Sequence, residues 1–359
     1  MQIEKQGTVR RRIIGIYAFL ITFSLAVWAW ALLALRGHSV LIGTAVLAYG
    51  FGLRHAVDAD HIAAIDNVTR KLMQEGKKPL AAGLFFALGH SSVVLLASAA
   101  VALSASVLGE RFHALRQIGG TIGTLVSFGF LWLIAVANLF ALRGTYAAFR
   151  RVRETGRYDP EDLDMLLAQG GLAARCLRPL FSLMRHSWQM FPLGFLFGLG
   201  FETATEVMLL GMSAEQASHG MSFASILLFP ALFTAGMTLI DTTDGALMMG
   251  AYGWAFINPI RKLYYNITIT LTSAVVALVV GGIEALGLLG DHFTFTGSFW
   301  SAVAGMTRNF GSLGYGVIGL FFACWLVSMI IYRLKGYDRV EAPCPADVAI
   351  RERRATTSV

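Results

Sequence analysis

The sequence predicts an all-α polytopic membrane protein with eight transmembrane helices and with both termini in the cytoplasm. Hydrophobic residues make up 56% of the 359 residues and charged residues only 14%, whereas soluble domains carry about 25% charged residues. The mean hydropathy is +0.62. A soluble core could not bury so much apolar surface, so part of that surface must face lipid.

The predicted spans are stretches of about 20 apolar residues, the length that a helix needs to cross a bilayer. Helices are expected because lipid offers no partner for the unpaired backbone groups of an open strand edge. In chain order the spans are 13–35, 41–65, 80–105, 118–142, 190–212, 223–251, 266–289 and 310–332. They form one transport domain, 1–335, with a cytoplasmic loop at 143–189 and a disordered cytoplasmic tail at 336–359.

The first and seventh spans need a separate comment. The first span follows the basic cluster 10–12, as in a signal peptide, but its 23-residue length exceeds the apolar core of such peptides. We therefore interpret it as an uncleaved span. Glu284 lies near the outer end of the seventh span and is expected to face water.

The distribution of basic residues sets the predicted orientation. Of the 29 Lys and Arg residues, 24 lie at the two termini, at 66–79, at 143–189 and at the turn near 260. The opposite side has only Arg36, Arg111, Arg116 and Arg308, and Arg54 lies inside the second span. Basic residues concentrate on the cytoplasmic side of membrane proteins, which places both termini there.

The overall charge excludes some functions. The net charge is +7, but the basic residues form no stripe with interleaved aromatic side chains, so no nucleic-acid partner is expected. The three cysteines share no metal-type spacing. The chain contains no P-loop motif, so ATP hydrolysis is not expected either.

Ionisable residues inside the predicted spans are the strongest functional signal. Spans 2, 3, 5 and 6 contain Arg54, His55, Asp58, Asp60, His61, His90, Glu202, Glu206, Asp241 and Asp244. One ionised side chain at bilayer depth costs about 2.5–3.5 kcal/mol, so six lipid-facing carboxylates would cost roughly 15–20 kcal/mol. The six acids must therefore face a shared interior. Their excess over the single Arg predicts a cation-binding pocket.

Helix geometry brings most of these residues onto common faces. The two acids of span 5 are four residues apart and those of span 6 three apart, so each pair shares a face. His55, Asp58 and His61 fall within about 120° on an ideal helix. Asp60 points elsewhere, so either it supports another group or the helix is broken. Gly50 and Gly52 make a break plausible, as in transporter sites.

The ligand types narrow the identity of the cation. Imidazole combined with carboxylate, without thiolate, suits nickel, cobalt, zinc or manganese better than copper(I) or magnesium. His55, His61 and His90 are the three histidines inside the predicted spans. Three histidines are enough for one site.

Four motifs resemble those of the nickel/cobalt transporter (NiCoT) family. Span 2 contains Leu53-Arg54-His55-Ala56-Val57-Asp58-Ala59-Asp60-His61-Ile62, and span 3 contains Leu88-Gly89-His90-Ser91-Ser92-Val93-Val94. Span 5 contains Leu199-Gly200-Phe201-Glu202-Thr203-Ala204-Thr205-Glu206, and span 6 contains Gly236-Met237 followed by Asp241-Thr242-Thr243-Asp244-Gly245. The motifs occur in the family's order, and the resemblance covers nearly the whole chain.

The resemblance implies a permease of the cytoplasmic (inner) membrane of a prokaryote that takes up Ni²⁺, Co²⁺ or both. It makes His55, Asp60 and His61 the core of the metal site. The supporting metal positions are Asp58, His90, Glu202, Glu206, Asp241 and Asp244. Glu202 departs from the Asp that is usual in the family; it keeps the carboxylate, which reaches one methylene further. Val57 is a position that varies with metal preference in the family, and here it favours nickel.

Other interpretations remain open at this point. Arg54 is a supporting residue, either a structural counter-ion to Asp58 or to another carboxylate, or a transport residue. The same chemistry could serve a nickel or cobalt exporter, although the loop 143–189 has only His186 where exporters often carry many histidines. H-x4-D is also the acyltransferase pair, but it would not explain the paired acids of spans 5 and 6. We expect a transporter and no enzyme, with no cofactor besides the transported ion; the oligomeric state stays undetermined.

Overall fold

The computed structural model describes residues 6–104, 109–155, 184–199, 204–255 and 259–334. Within these ranges the chain forms α-helices and one short 3-10 turn, Ser187–Gln189, and no strand. The helices are α1 Gln6–Ala34, α2 Ser39–His55, α3 Ala59–Gln74, α4 Ala82–Ser104, α5 Gly109–Thr155, α6 Met190–Gly198, α7 Ala204–Ser218, α8 Phe223–Ala255, α9 Pro259–Phe293, α10 Ser298–Arg308 and α11 Phe310–Leu334.

The helix lengths confirm a multi-pass all-α membrane protein. Six helices in the described part of the chain, α1, α4, α5, α8, α9 and α11, are long and apolar enough to cross a bilayer. The pair α2 and α3 makes a seventh if it is counted as one bent span. The predicted span 190–212 corresponds to α6 and α7, and residues 200–203 between them lie outside the described ranges.

Span 2 is broken, and the position of the break differs from the one that the glycines indicate. α2 ends at His55, α3 begins at Ala59, and their axes differ by 51°. Asp58 has an extended backbone, with φ −65° and ψ 146°. Gly52 has a different purpose, because a Cβ there would overlap the backbone carbonyl of Phe233. Because glycine has no Cβ, α2 can approach α8 closely at this position.

The polar helix α3 lies in the centre of the fold. It contacts α4, α5, α8, α9 and α11, and every residue from His61 to Arg70 is buried. The prediction that placed Arg70 in a cytoplasmic loop is wrong for this reason: the helix continues to Gln74 and the guanidinium is enclosed by neighbouring helices.

Several other boundaries differ from the prediction. α5 continues to Thr155, so the predicted loop 143–189 begins with helix; residues 156–183 and the tail 335–359 lie outside the described ranges. The short helix α10 lies in a segment predicted as a loop. Glu284 is only 5% exposed and accepts a 2.8 Å hydrogen bond from Ser127 Oγ, so the expectation that it faces water is wrong.

Candidate metal centre

Three histidines from three helices meet in the interior. His55 is the last residue of α2, His61 lies in the first turn of α3, and His90 lies in the middle of α4. None is more than 3% exposed. One ligand nitrogen from each ring lies within 4.8 Å of the other two, and the ring centroids are 4.7–4.8 Å apart. The break in span 2 makes this meeting possible, because it turns α3 relative to α2.

Each histidine of this triad contacts a different carboxylate. His55 Nδ1 lies 2.8 Å from Asp58 Oδ2. His90 Nε2 lies 2.8 Å from Glu206 Oε1, and His61 Nδ1 lies 3.4 Å from Asp241 Oδ2. For His55 and His61 the carboxylate lies on Nδ1 and leaves Nε2 for a metal, and such a partner orients the ring and increases its basicity. Glu206 lies instead on the His90 nitrogen that faces His55, so it would share an ion with that nitrogen.

The spacing of two ring nitrogens fits a shared ion. His55 Nε2 and His90 Nε2 are 2.9 Å apart. Two nitrogens bound about 2.1 Å from one metal at an angle of 90–110° would be about 3.0–3.4 Å apart. Without a metal, one of the two nitrogens must donate a proton to the other. A cation would require only a small separation of these rings.

Some polar atoms of the site lack a partner among the described residues. They include His61 Nε2 and Asp241 Oδ1, and Asp244 Oδ2, three residues further along α8, is another; all are inaccessible to solvent. Buried polar groups are nearly always hydrogen-bonded, so these atoms are arranged for something besides the protein. Because Asp241 occupies His61 Nδ1, Nε2 is the nitrogen of that ring that remains for a ligand.

The other described residues that the sequence singles out lie outside the triad. Asp60 follows the break and is half-buried, outside the histidine triad itself. Arg54 is exposed, and Asp58 contacts His55 rather than a guanidinium. Val57 packs against the apolar cluster of α9 and α11. Glu202 lies outside the described ranges.

A second polar cluster was missed by the sequence analysis. It surrounds Asp66, Asn67 and Arg70 on the next turns of α3, with Asn138, Tyr252 and Thr270 from three other helices. The available signal was three strongly polar residues at spacings of one and three, directly after a predicted span. Because 66–79 is predicted as a loop, these three residues are not expected in a buried helix.

Comparison with known proteins identifies the family of the chain. A sequence profile described as high-affinity nickel-transport protein matches residues 41–331. The chain is 58% identical to a high-affinity nickel transport protein of Cupriavidus necator over 95% of this chain and 97% of that protein. It is 46% identical to the nickel transporter NixA of Staphylococcus aureus, over 85% of this chain and 89% of that one.

A relative with a different metal in its name is also similar. The cobalt transport protein NhlF of Rhodococcus rhodochrous is 41% identical over 82% of this chain and 84% of its own length. No solved structure matches the chain.

Proposed function

Because the chain belongs to the high-affinity nickel-transport protein family, we propose that it is a permease that takes up Ni²⁺ through its buried histidine triad. Membership of the family confirms the resemblance that the four motifs indicate. A multi-pass metal transporter also explains why costly ionisable residues occupy the interior of a membrane protein.

The convergence of His55, His61 and His90 is the observation that carries this proposal. Their ligand nitrogens lie within 4.8 Å of one another although the residues come from separate helices. Imidazole nitrogens and carboxylate oxygens suit Ni²⁺ and Co²⁺. Three ring nitrogens leave further positions on the ion for a carboxylate or water, so an ion can bind and still be released.

The charges of the site favour a divalent cation. Asp58, Glu206 and Asp241 surround the three rings and are at most 4% exposed. Several carboxylates confined in a buried volume repel one another, and a dipositive ion relieves that repulsion. The nickel ion is therefore the transported substrate, and we expect no resident cofactor and no enzymatic reaction.

The finer features of the prediction are part of the same proposal. We infer eight spans with both termini in the cytoplasm, in the inner membrane of a prokaryote, from the distribution of Lys and Arg. The two helices α6 and α7 would together form the fifth span. Co²⁺ is expected as a second substrate, because a relative is named for cobalt transport and the two ions prefer the same ligands.

Two alternatives find no support in the relatives. Those cited above are named for nickel or cobalt transport, and none is named as an exporter or an acyltransferase. An acyltransferase also needs a His–Asp pair that faces its substrate. Here His55 faces two further histidines.

Uptake of radioactive Ni²⁺ by cells that express the protein tests the proposal. Uptake at nanomolar Ni²⁺ should be abolished in His55→Ala and reduced by excess Co²⁺. His219→Ala is the matched control, because this histidine is exposed in the turn after α7. Equal uptake by the wild type and His55→Ala, or faster loss of nickel from preloaded cells, would reject the proposal.

A further inference from the structure

A small crevice of about 10 Å³, with room for at most one water molecule, lies between the surface and the metal centre beside the corner where α10 meets α11 at Asn309. Its lining includes Arg54 from α2, Asp58 from the break, Thr205 from α7, and Thr307, Arg308 and Gly311 from the corner. Arg308 is exposed and Thr307 is partly exposed. The crevice therefore begins at the surface and reaches a carboxylate of the metal centre.

Two residues that line the crevice contact the triad directly. Asp58 Oδ2 lies 2.8 Å from His55 Nδ1, and Thr205 Oγ1 lies 3.5 Å from the same nitrogen. The second carboxylate oxygen, Asp58 Oδ1, lies 3.2 Å from the point where a Cβ on Gly311 would sit. Asp58 thus has one oxygen toward the triad and the other toward the crevice.

The first turns of α11 pack closely against the break in span 2. A Cβ on Gly314 would overlap the backbone carbonyl of Val57. A Cβ on Gly311 would lie 3.2 Å from both Arg54 Nε and Asp58 Oδ1, so these two charged groups are at most twice that distance apart. With a hydrogen at both positions, α11 can close the crevice over Asp58.

The short helix α10 can move as a small unit about its junction with α11. A single non-helical residue, Asn309, separates α10 from α11. α10 has one buried side chain among its described residues, Val303, and lies against α9, where Trp300 packs over Gly290. Such a short, largely exposed helix can shift without disturbing the core.

On the basis of the uptake function proposed above, we propose that this crevice is the outer mouth of the metal path and that Asp58 passes the ion from the mouth to His55. Arg54 and Arg308 give the mouth positive charge, which slows the approach of a dipositive ion. Asp58 is the one acidic residue that lines it. It therefore provides the first anionic ligand that an arriving Ni²⁺ meets.

Cysteine accessibility tests the route. The parent for this experiment is the chain with Cys176, Cys324 and Cys344 replaced by Ser, and its Ni²⁺ uptake is measured first. Thr307→Cys is then treated in intact cells with a membrane-impermeant methanethiosulfonate. We expect modification to abolish uptake and Ni²⁺ to slow modification. Ser301→Cys, an exposed position on α10 outside the crevice, should be modified without loss of uptake.

The outcomes separate this proposal from the one on which it depends. An absence of uptake by the wild-type chain rejects the uptake function itself. Uptake that persists after complete modification of Thr307→Cys, or modification that Ni²⁺ does not slow, rejects the mouth. Modification only in inside-out vesicles also rejects it, because the crevice would then face the cytoplasm.

The charge of the mouth supplies an independent measurement. Arg308→Glu should lower the KM for Ni²⁺ by roughly three- to tenfold at low ionic strength, and the difference should shrink as salt screens it. Arg36→Glu is the matched control, because Arg36 is exposed, is predicted on the same side and does not line the crevice. An equal shift in both variants would overturn the assignment of Arg308 to the mouth.

Discussion

The helix α3 contains two equally polar clusters, one in its first turn and one in its middle, that differ in how well their atoms are partnered. In the first cluster, His61 Nε2 and Asp241 Oδ1 have no hydrogen-bond partner among the described residues. Five residues further on, Asp66 accepts hydrogen bonds on both oxygens, from the Tyr252 hydroxyl and, at 2.6 Å, from Ser273 Oγ. His61 in the first cluster and Asp66, Asn67 and Arg70 in the second are all at most 1% exposed.

The second cluster, defined by Asp66, Asn67 and Arg70, is a nearly complete network. Asn67 Oδ1 accepts hydrogen bonds from Arg70 Nη2 at 3.0 Å and from Asn138 Nδ2 at 2.7 Å. Arg70 Nη1 donates to Thr270 Oγ1 at 3.0 Å. These contacts join α3 to α5, α8 and α9. The network holds helices together and leaves little for an ion to bind.

The comparison separates polar groups that lack a hydrogen-bond partner from polar groups that hold helices together. A buried polar group that the protein satisfies contributes to structure, whereas one that it leaves unsatisfied costs stability unless a ligand completes it. The triad belongs to the second kind and the Asp66 network to the first. Substitutions in the triad should therefore lower Ni²⁺ uptake, whereas substitutions in the Asp66 network should lower the stability of the fold.

The largest effect is expected at the triad. His61→Gln retains an amide that can contact Asp241 but removes an imidazole ligand, so Ni²⁺ uptake should fall to the level of cells without the protein. The amount of protein in the membrane and its unfolding temperature in detergent should stay close to the wild-type values. A large loss of folded protein would show that His61 is a structural residue instead.

Asp66→Ala should act on the fold. The substitution removes the carboxylate that accepts buried hydrogen bonds from the Tyr252 hydroxyl and Ser273 Oγ, which costs about 1–3 kcal/mol for each buried donor that loses its acceptor. Thermal unfolding of the purified protein in detergent would measure this loss. Glu75→Ala is the control, since Glu75 forms an exposed pair with Lys77 that is worth about 0–1 kcal/mol. A stable Asp66→Ala protein that has lost only Ni²⁺ uptake would contradict the claim that the Asp66 network stabilises the fold.

Glu206→Gln should weaken metal binding and leave the fold intact. Glu206 Oε1 lies 2.8 Å from His90 Nε2 and 3.7 Å from His55 Nε2, so it would contact an ion held between the two rings. Loss of a carboxylate that only orients a ligand typically lowers metal affinity about 10–100-fold, and loss of this one should cost at least as much. Titration of the purified protein with Ni²⁺ in a calorimeter would measure the change. Glu215→Gln, an exposed position on the same helix, should bind like the wild type; affinities that change equally in both variants would contradict this role.

The smallest effect concerns the packing that positions His55. Gly52→Ala would place a methyl group against the Phe233 carbonyl and push α2 away from α8, at a cost of about 1–3 kcal/mol. We expect roughly tenfold weaker Ni²⁺ uptake at equal protein level. Gly50→Ala has open space around its Cβ and should behave like the wild type. Similar losses in both variants would point to helix flexibility rather than to contact.

The sequence singled out the three histidines that meet in the interior, but it did not indicate the local structure around them. Lipid allows few ionisable side chains, so His55, His61 and His90 stand out within apolar spans. The position of the break at 56–58 could not be read, because no proline or glycine marks it. The partners of Arg70 and Asp66 were also inaccessible: Thr270 and Ser273 lie 200 and 207 positions away along the chain, a pairing that only the tertiary packing reveals.

X-ray absorption at the nickel K-edge of the purified protein with one equivalent of Ni²⁺ tests the central claim most directly. The buried site offers three imidazoles, so the spectrum should contain outer-shell scattering from about three imidazole rings. His90→Gln should reduce this scattering by about one ring. A spectrum without imidazole scattering, or one unchanged in His90→Gln, would show that the triad does not bind the ion.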